Sequence, residues 1–135
     1  MVSSGTRELL APPEDVWGFV SEPYHLADWW PGVAAVEPDR RGFAEGARWR
    51  LRRAEPTLFR RAQATATLVV RRAEPFTFGF HVVEDRLDAE LTLEGDANRS
   101  LARLALAYPL WRPQRHLARD ALGRLYDLCQ TAATL

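Results

Sequence analysis

Between residues 62 and 108 the chain repeats one pattern four times: apolar and polar residues alternate, and a polar turn follows. Ala64, Ala66, Leu68 and Val70 share one face of the first segment, with Gln63, Thr65, Thr67 and Arg71 on the other. Phe76, Phe78, Phe80 and Val82 form the apolar face of the second. Leu87, Ala89, Leu91 and Leu93 do so in the third, backed by Asp88, Glu90, Thr92 and Glu94. Ala102, Leu104, Leu106 and Tyr108 complete the fourth. A period of two belongs to half-buried strands. Glu84-Asp85 and Gly95-Asp-Ala-Asn98 supply turns between them.

A meander with one apolar face must curl over a cover. The C-terminal segment offers one. Pro113 suits a first helical turn, where its missing N–H costs nothing. Leu117, Ala118, Ala121, Leu122, Leu125, Leu128, Cys129 and Ala132 then recur at helical spacing, with Arg115, Arg119, Asp120, Arg124 and Gln130 opposite. A helix of about twenty residues is ~30 Å long, enough to cross a sheet.

The N-terminal part supplies three more strands and a helical interruption. Val2 to Leu10 alternates weakly and predicts a first strand. Pro12 and Pro13 open a helix, Glu14 and Asp15 meet the positive end of its dipole, and Val16, Phe19 and Val20 form its apolar stripe. Pro23 stops it. Tyr24 to Trp30 is too short to be helical without packing partners, and Pro31-Gly32 ends it. Val33 to Pro38 predicts a second strand. In the third, Ala47, Trp49 and Leu51 alternate with Arg48, Arg50 and Arg52. The irregular Ala54–Arg61 stretch, with Pro56, is expected to form a mobile lid.

Ala11-Pro-Pro-Glu-Asp-Val-Trp17 followed by Trp29-Trp-Pro-Gly-Val33 resembles the opening of the START/Bet v 1-like superfamily, in its bacterial polyketide cyclase/dehydrase and lipid-transport (SRPBCC) branch. The resemblance implies one α+β domain over residues 1–135 with a helix-grip fold. That fold is a curved seven-stranded antiparallel sheet wrapped around a long C-terminal helix, with two short helices between strands 1 and 2. It also implies a cavity between sheet and helix. It does not imply one activity, because carriers, cyclases, hydrolases and co-chaperones share the fold.

Charge is balanced overall but divided along the chain. All 18 basic residues are Arg. Ten of them lie between Arg40 and Arg72 against two acids, while seven acids lie between Ala73 and Asn98 against Arg86. A basic block can mark a nucleic-acid face. Here the Arg residues alternate with apolar ones, as Arg48, Arg50 and Arg52 do and as Asp88, Glu90 and Glu94 do, which favours opposite charges pairing across neighbouring strands of the outer sheet face. One cysteine, Cys129, permits no internal disulfide. The N-terminus lacks a signal peptide's apolar region, and no apolar run reaches membrane-spanning length, so a cytoplasmic location is expected.

Motifs for phosphate, dinucleotide, metal or nucleophile chemistry are missing, so no catalytic residue, metal or cofactor is assigned. The aromatic residues carry the stronger signal. Trp29, Trp30, Trp49, Phe78, Phe80 and Tyr108 converge from different elements, joined by Leu91, Leu104, Leu106, Leu117, Ala121 and Leu125. This set either fills a core or lines a ligand cavity near Trp30; both have the same binary pattern. Polar contacts to a ligand are expected from His25, His81 and Tyr108, although alternation puts His81 on the outer face and His25 suits a solvated helix position. A small hydrophobic molecule is the expected partner. Nucleic acid is not expected, and a homodimer is compatible with the sequence. Three functions stay open: a carrier or sensor of a hydrophobic molecule, a cyclase or dehydratase, and a protein-interaction module.

Overall fold

The structure, a computed structural model, describes residues 1–54, 64–111, 114 and 116–134. Strands β1 (Val2–Leu9), β2 (Val33–Glu37), β3 (Arg48–Arg53), β4 (Thr65–Glu74), β5 (Thr77–Val82), β6 (Leu87–Gly95) and β7 (Ser100–Ala107) form one antiparallel sheet. Its order is β1-β7-β6-β5-β4-β3-β2, so β1 crosses to pair with the last strand. Helices α1 (Pro13–Val20) and α2 (Leu26–Trp29) separate β1 from β2, and α3 (Leu117–Thr134) packs against β1, β7 and α2. This is the helix-grip arrangement. Among the described residues no helix is long and apolar enough to cross a membrane.

Local chemistry explains the boundaries. Pro13 occupies the first turn of α1, with Glu14 and Asp15 beside it. The stretch expected as a second helix from Tyr24 to Trp30 divides in two. Pro23–His25 forms a tight 3-10 turn and only Leu26–Trp29 is α-helical. Four residues cannot hold a helix alone; burial of Leu26 and Trp29 does so. Helix α3 begins at Leu117, later than Pro113, which lies outside the described residues with Arg115. The stretch read as a lid also lies outside them from residue 55 onward.

Phe76 is not on β5 but in the turn before it, with φ at 69°. Pro75 precedes it, and proline followed by a positive φ suits a type II turn, a site normally taken by glycine. The Phe76 ring lies against Trp17, centroids 6.3 Å apart, and Trp17 meets Phe43 edge-on at 5.5 Å.

Charges on the outer face pair across strands, but not between the alternating sets of β3 and β6. β3 and β6 are separated by β4 and β5, so Arg48, Arg50 and Arg52 are not cross-strand neighbours of Asp88, Glu90 and Glu94. Instead Arg72 on β4 reaches over β5 to Glu90 on β6 at 3.2 Å. Gly79 makes this reach available: it sits in register between the two, and a Cβ there would lie 3.3 Å from the Cβ of Arg72. His81 pairs with its neighbour Asp88 at 2.9 Å.

The loop before β3 is organised by Asp39. Its carboxylate accepts the backbone N–H of Arg48 at 2.8 Å and of Arg41 at 3.0 Å. These bonds, Arg48's first, hold its pKa below the ordinary 3.8. A depressed carboxylate stabilises the fold above its ordinary pKa and loses that contribution as pH falls through the folded value. Asp39→Ala should therefore lower the melting temperature at neutral pH, and the gap from the parent should shrink as pH falls below 3.8. Melting curves over a pH series check this; a constant gap would refute it.

Candidate ligand site

The inner face of the sheet carries a continuous aromatic wall. Trp30 meets Phe80 edge-on at 4.9 Å, Phe80 lies 4.9 Å from Phe78, and Phe78 lies 5.7 Å from Trp49. Trp29 meets Trp30 at 5.5 Å and is fully buried. Leu91, Leu104 and Leu106 are buried on the same face, Ala121 and Leu125 are buried on α3, and Tyr108 is buried just after β7. Over the middle of the sheet these rings pack on one another.

At one end of this wall lies a cavity of about 120 Å³. Trp30, Pro31 and Gly32 border it from the loop after α2, Leu51 and Ala66 from β3 and β4, and Leu117 from the start of α3. Trp30 and Leu117 are the two expected site residues that meet there. Pro31 and Gly32 turn the chain into β2, Gly32 with φ at 83°, which suits a residue without a Cβ.

Three polar residues are among those that line the same cavity: Arg53, Asp85 and Gln114. Sequence reasoning did not assign them. The signal for Arg53 was present, because period two carries the inward face of β3 from Trp49 through Leu51 to Arg53. An arginine on an apolar face needs a partner. Its partner is Asp85 in the β5–β6 turn, bonded through Nη2 at 2.8 Å and Nη1 at 3.2 Å. Pairing between residues 32 positions apart has no local signature.

The histidines serve other contacts. His25 stacks on Phe19 with centroids 4.1 Å apart, and its Nδ1–H donates to the Phe19 carbonyl at 2.8 Å. It fastens the turn after α1. His81 faces Asp88 on the side of the sheet opposite Phe80.

A second concavity, of about 340 Å³, opens between α1 and the later turns of α3. Val16 and Phe19 face Leu125, Leu128 and Cys129 across it. Burial pushes the Cys129 thiol above its ordinary pKa, so it is protonated at neutral pH.

Residues 2–127 match the family model for polyketide cyclase/dehydrase and lipid transport. A search of curated proteins finds no match. Among solved structures the chain is similar to XoxI from Bacillus cereus, at 14% identity and a TM-score of 0.74, covering 98% of this chain and 97% of that one. It is similar to the di-domain ARO/CYC BexL from the BE-7585A biosynthetic pathway, at 17% identity and a TM-score of 0.71, covering 100% of this chain and 48% of BexL. It is also similar to DynU16 of the dynemicin biosynthetic locus, at 20% identity and a TM-score of 0.65, covering 97% of this chain and 48% of that one. At such identities the likeness is one of fold.

Proposed function

We propose, for a chain that belongs to the polyketide cyclase/dehydrase and lipid transport family, that it holds a small apolar or aromatic molecule between the sheet and the start of α3. The observation that carries this is the 120 Å³ cavity with Trp30 and Leu117 in its wall. An aromatic ring beside aliphatic side chains suits a ligand of the same character. The charged side chains at the cavity, Arg53 and Asp85, are bonded to each other, which favours holding a ligand over proton transfer. The relatives named for biosynthetic pathways keep a cyclase or dehydratase as the second reading.

Ethylbenzene is a probe of suitable size. It should raise the melting temperature and change the tryptophan fluorescence. Trp30→Ala should weaken its binding by roughly 1–3 kcal/mol, the worth of a stacked ring at a contact centre. Absence of any thermal shift with ethylbenzene and with a wider panel of apolar ligands would refute the reading.

A further inference from the structure

The concavity between α1 and α3 stands apart from the chamber beside Trp30. It holds about 340 Å³ against about 120 Å³, and the two share no lining residue. None of its described lining residues lies on a strand, so the sheet contributes nothing to its walls. Those walls are fixed from elsewhere. Val16 and Leu125 are anchored in the core. Phe19 is held by the stacked ring of His25 at 4.1 Å. The Ala11 carbonyl accepts the Ser100 hydroxyl at 2.6 Å. An apolar gap between walls that do not collapse leaves their faces without dispersion partners, which an apolar solute supplies. A gap of this volume suits a small molecule, not a partner helix about 10–12 Å across.

Charge narrows the class of molecule. Asp15 is the charged residue among the described residues that line the groove; it is exposed and makes no ion pair among the described residues. Glu14 precedes it in the first turn of α1. Arg124 is exposed on α3 and is not among the lining residues. From this we propose a second ligand site, for an apolar amine: its hydrocarbon body lies between Phe19 and Leu128, and its ammonium meets Asp15. A protonated amine finds an unpaired carboxylate at the rim, whereas a carboxylate ligand would meet Asp15 and Glu14 as like charges. The site stands whether or not the chamber beside Trp30 is filled.

Cys129 reports on the groove directly, because it lines it, is half-buried and is the one cysteine of the chain. Its alkylation by iodoacetamide at mildly alkaline pH, followed by mass spectrometry, is measured against rising phenylbutylamine, phenylbutanol and phenylbutyrate. The three probes share one body and differ at one end. The amine should slow the reaction at a concentration about fivefold below that of the alcohol, the worth of one good exposed ion pair. The acid should need the highest concentration. Salt should narrow the gap between amine and alcohol. Asp15→Asn should bring the amine level with the alcohol. Leu128→Trp fills the groove; it should melt cooperatively and lose the thermal shift that the amine gives the unaltered chain. Equal action of amine and alcohol, or an advantage of the amine that survives Asp15→Asn, would overturn the part given to Asp15. An amine-induced thermal shift that persists in Leu128→Trp would overturn the location. No protection of Cys129 by any of the three probes would overturn the site itself and leave the chamber reading, tested with ethylbenzene, untouched. A chain that is dimeric in solution and shields Cys129 before any probe is added would give the groove to a second copy and overturn the small-molecule site.

Discussion

A chain that stops at Trp111 should lose its cooperative unfolding transition. Such a chain lacks α3, which brings buried Ala118, Ala121, Leu122 and Leu125 onto the sheet. Leu122 and Leu125 are each worth roughly 2–5 kcal/mol by the scale of core Leu→Ala changes. A domain of this size has only about 5–15 kcal/mol in total. Removing both, together with the cover they give the inner strands, exhausts that margin. The helix also lies close against β1: a Cβ on Gly5 would stand 3.4 Å from the Cβ of Ala118. Circular dichroism during heating should show a broad, non-sigmoidal change for the shortened chain. Leu125→Ala in the full chain should keep the transition and lower stability by roughly 2–5 kcal/mol. A shortened chain that melts cooperatively near the full-length temperature would refute the dependence on α3.

Trp49→Ala should cost roughly 3–5 kcal/mol, the range for large aromatic truncations in cores. Two separate contributions are lost. The ring is 1% exposed and packs against Phe78 at 5.7 Å and Phe43 at 6.2 Å. Its Nε1–H donates to the Gly42 carbonyl at 2.8 Å, tying β3 to the loop that Asp39 organises. Trp49→Phe separates the two, because it retains an aromatic ring and removes the hydrogen bond. It should cost about 1 kcal/mol for the bond plus a smaller packing loss. Urea unfolding of both variants measures the difference; equal losses would show that the hydrogen bond, and not the ring, dominates.

The elements legible in the sequence were those whose periodicity is local. Alternation from Trp49 to Leu106 marks which side chains face inward, and Leu117 to Leu125 repeats at helical spacing. The structure buries those side chains accordingly, with Leu117 half-buried at the cavity. Phe76 escaped because alternation continues numerically into a turn, and only its positive φ distinguishes it from Phe78. The charge pairs escaped because strand order is not written in periodicity: Arg72 finds Glu90 through the absent side chain of Gly79. At the candidate site, Trp30 was legible from its motif. Arg53 was legible in principle as the inward continuation of Trp49 and Leu51, but the adjacent Arg52 made it look like part of a solvated run. Asp85 was not legible, since a carboxylate in a turn is ordinary and its partner lies on another strand.

The crossing of β1 to β7 also sets an order in time. Leu9 pairs with Ser100 and Val2 with Ala107, whereas β3 to β7 are linked in sequence as a meander. Closing so long a loop costs entropy before any contact repays it, and chains dominated by distant pairings fold slowly. The meander can zip up strand by strand, while β1 must wait for a partner made at the other end of the chain. Helix α3 packs on both β1 and β7, so the seam between first and last strands and its cover are expected to form together and late. On that order the inner face would stay wet until the two ends of the chain meet, and the cavity beside Trp30 would receive its Leu117 wall only then.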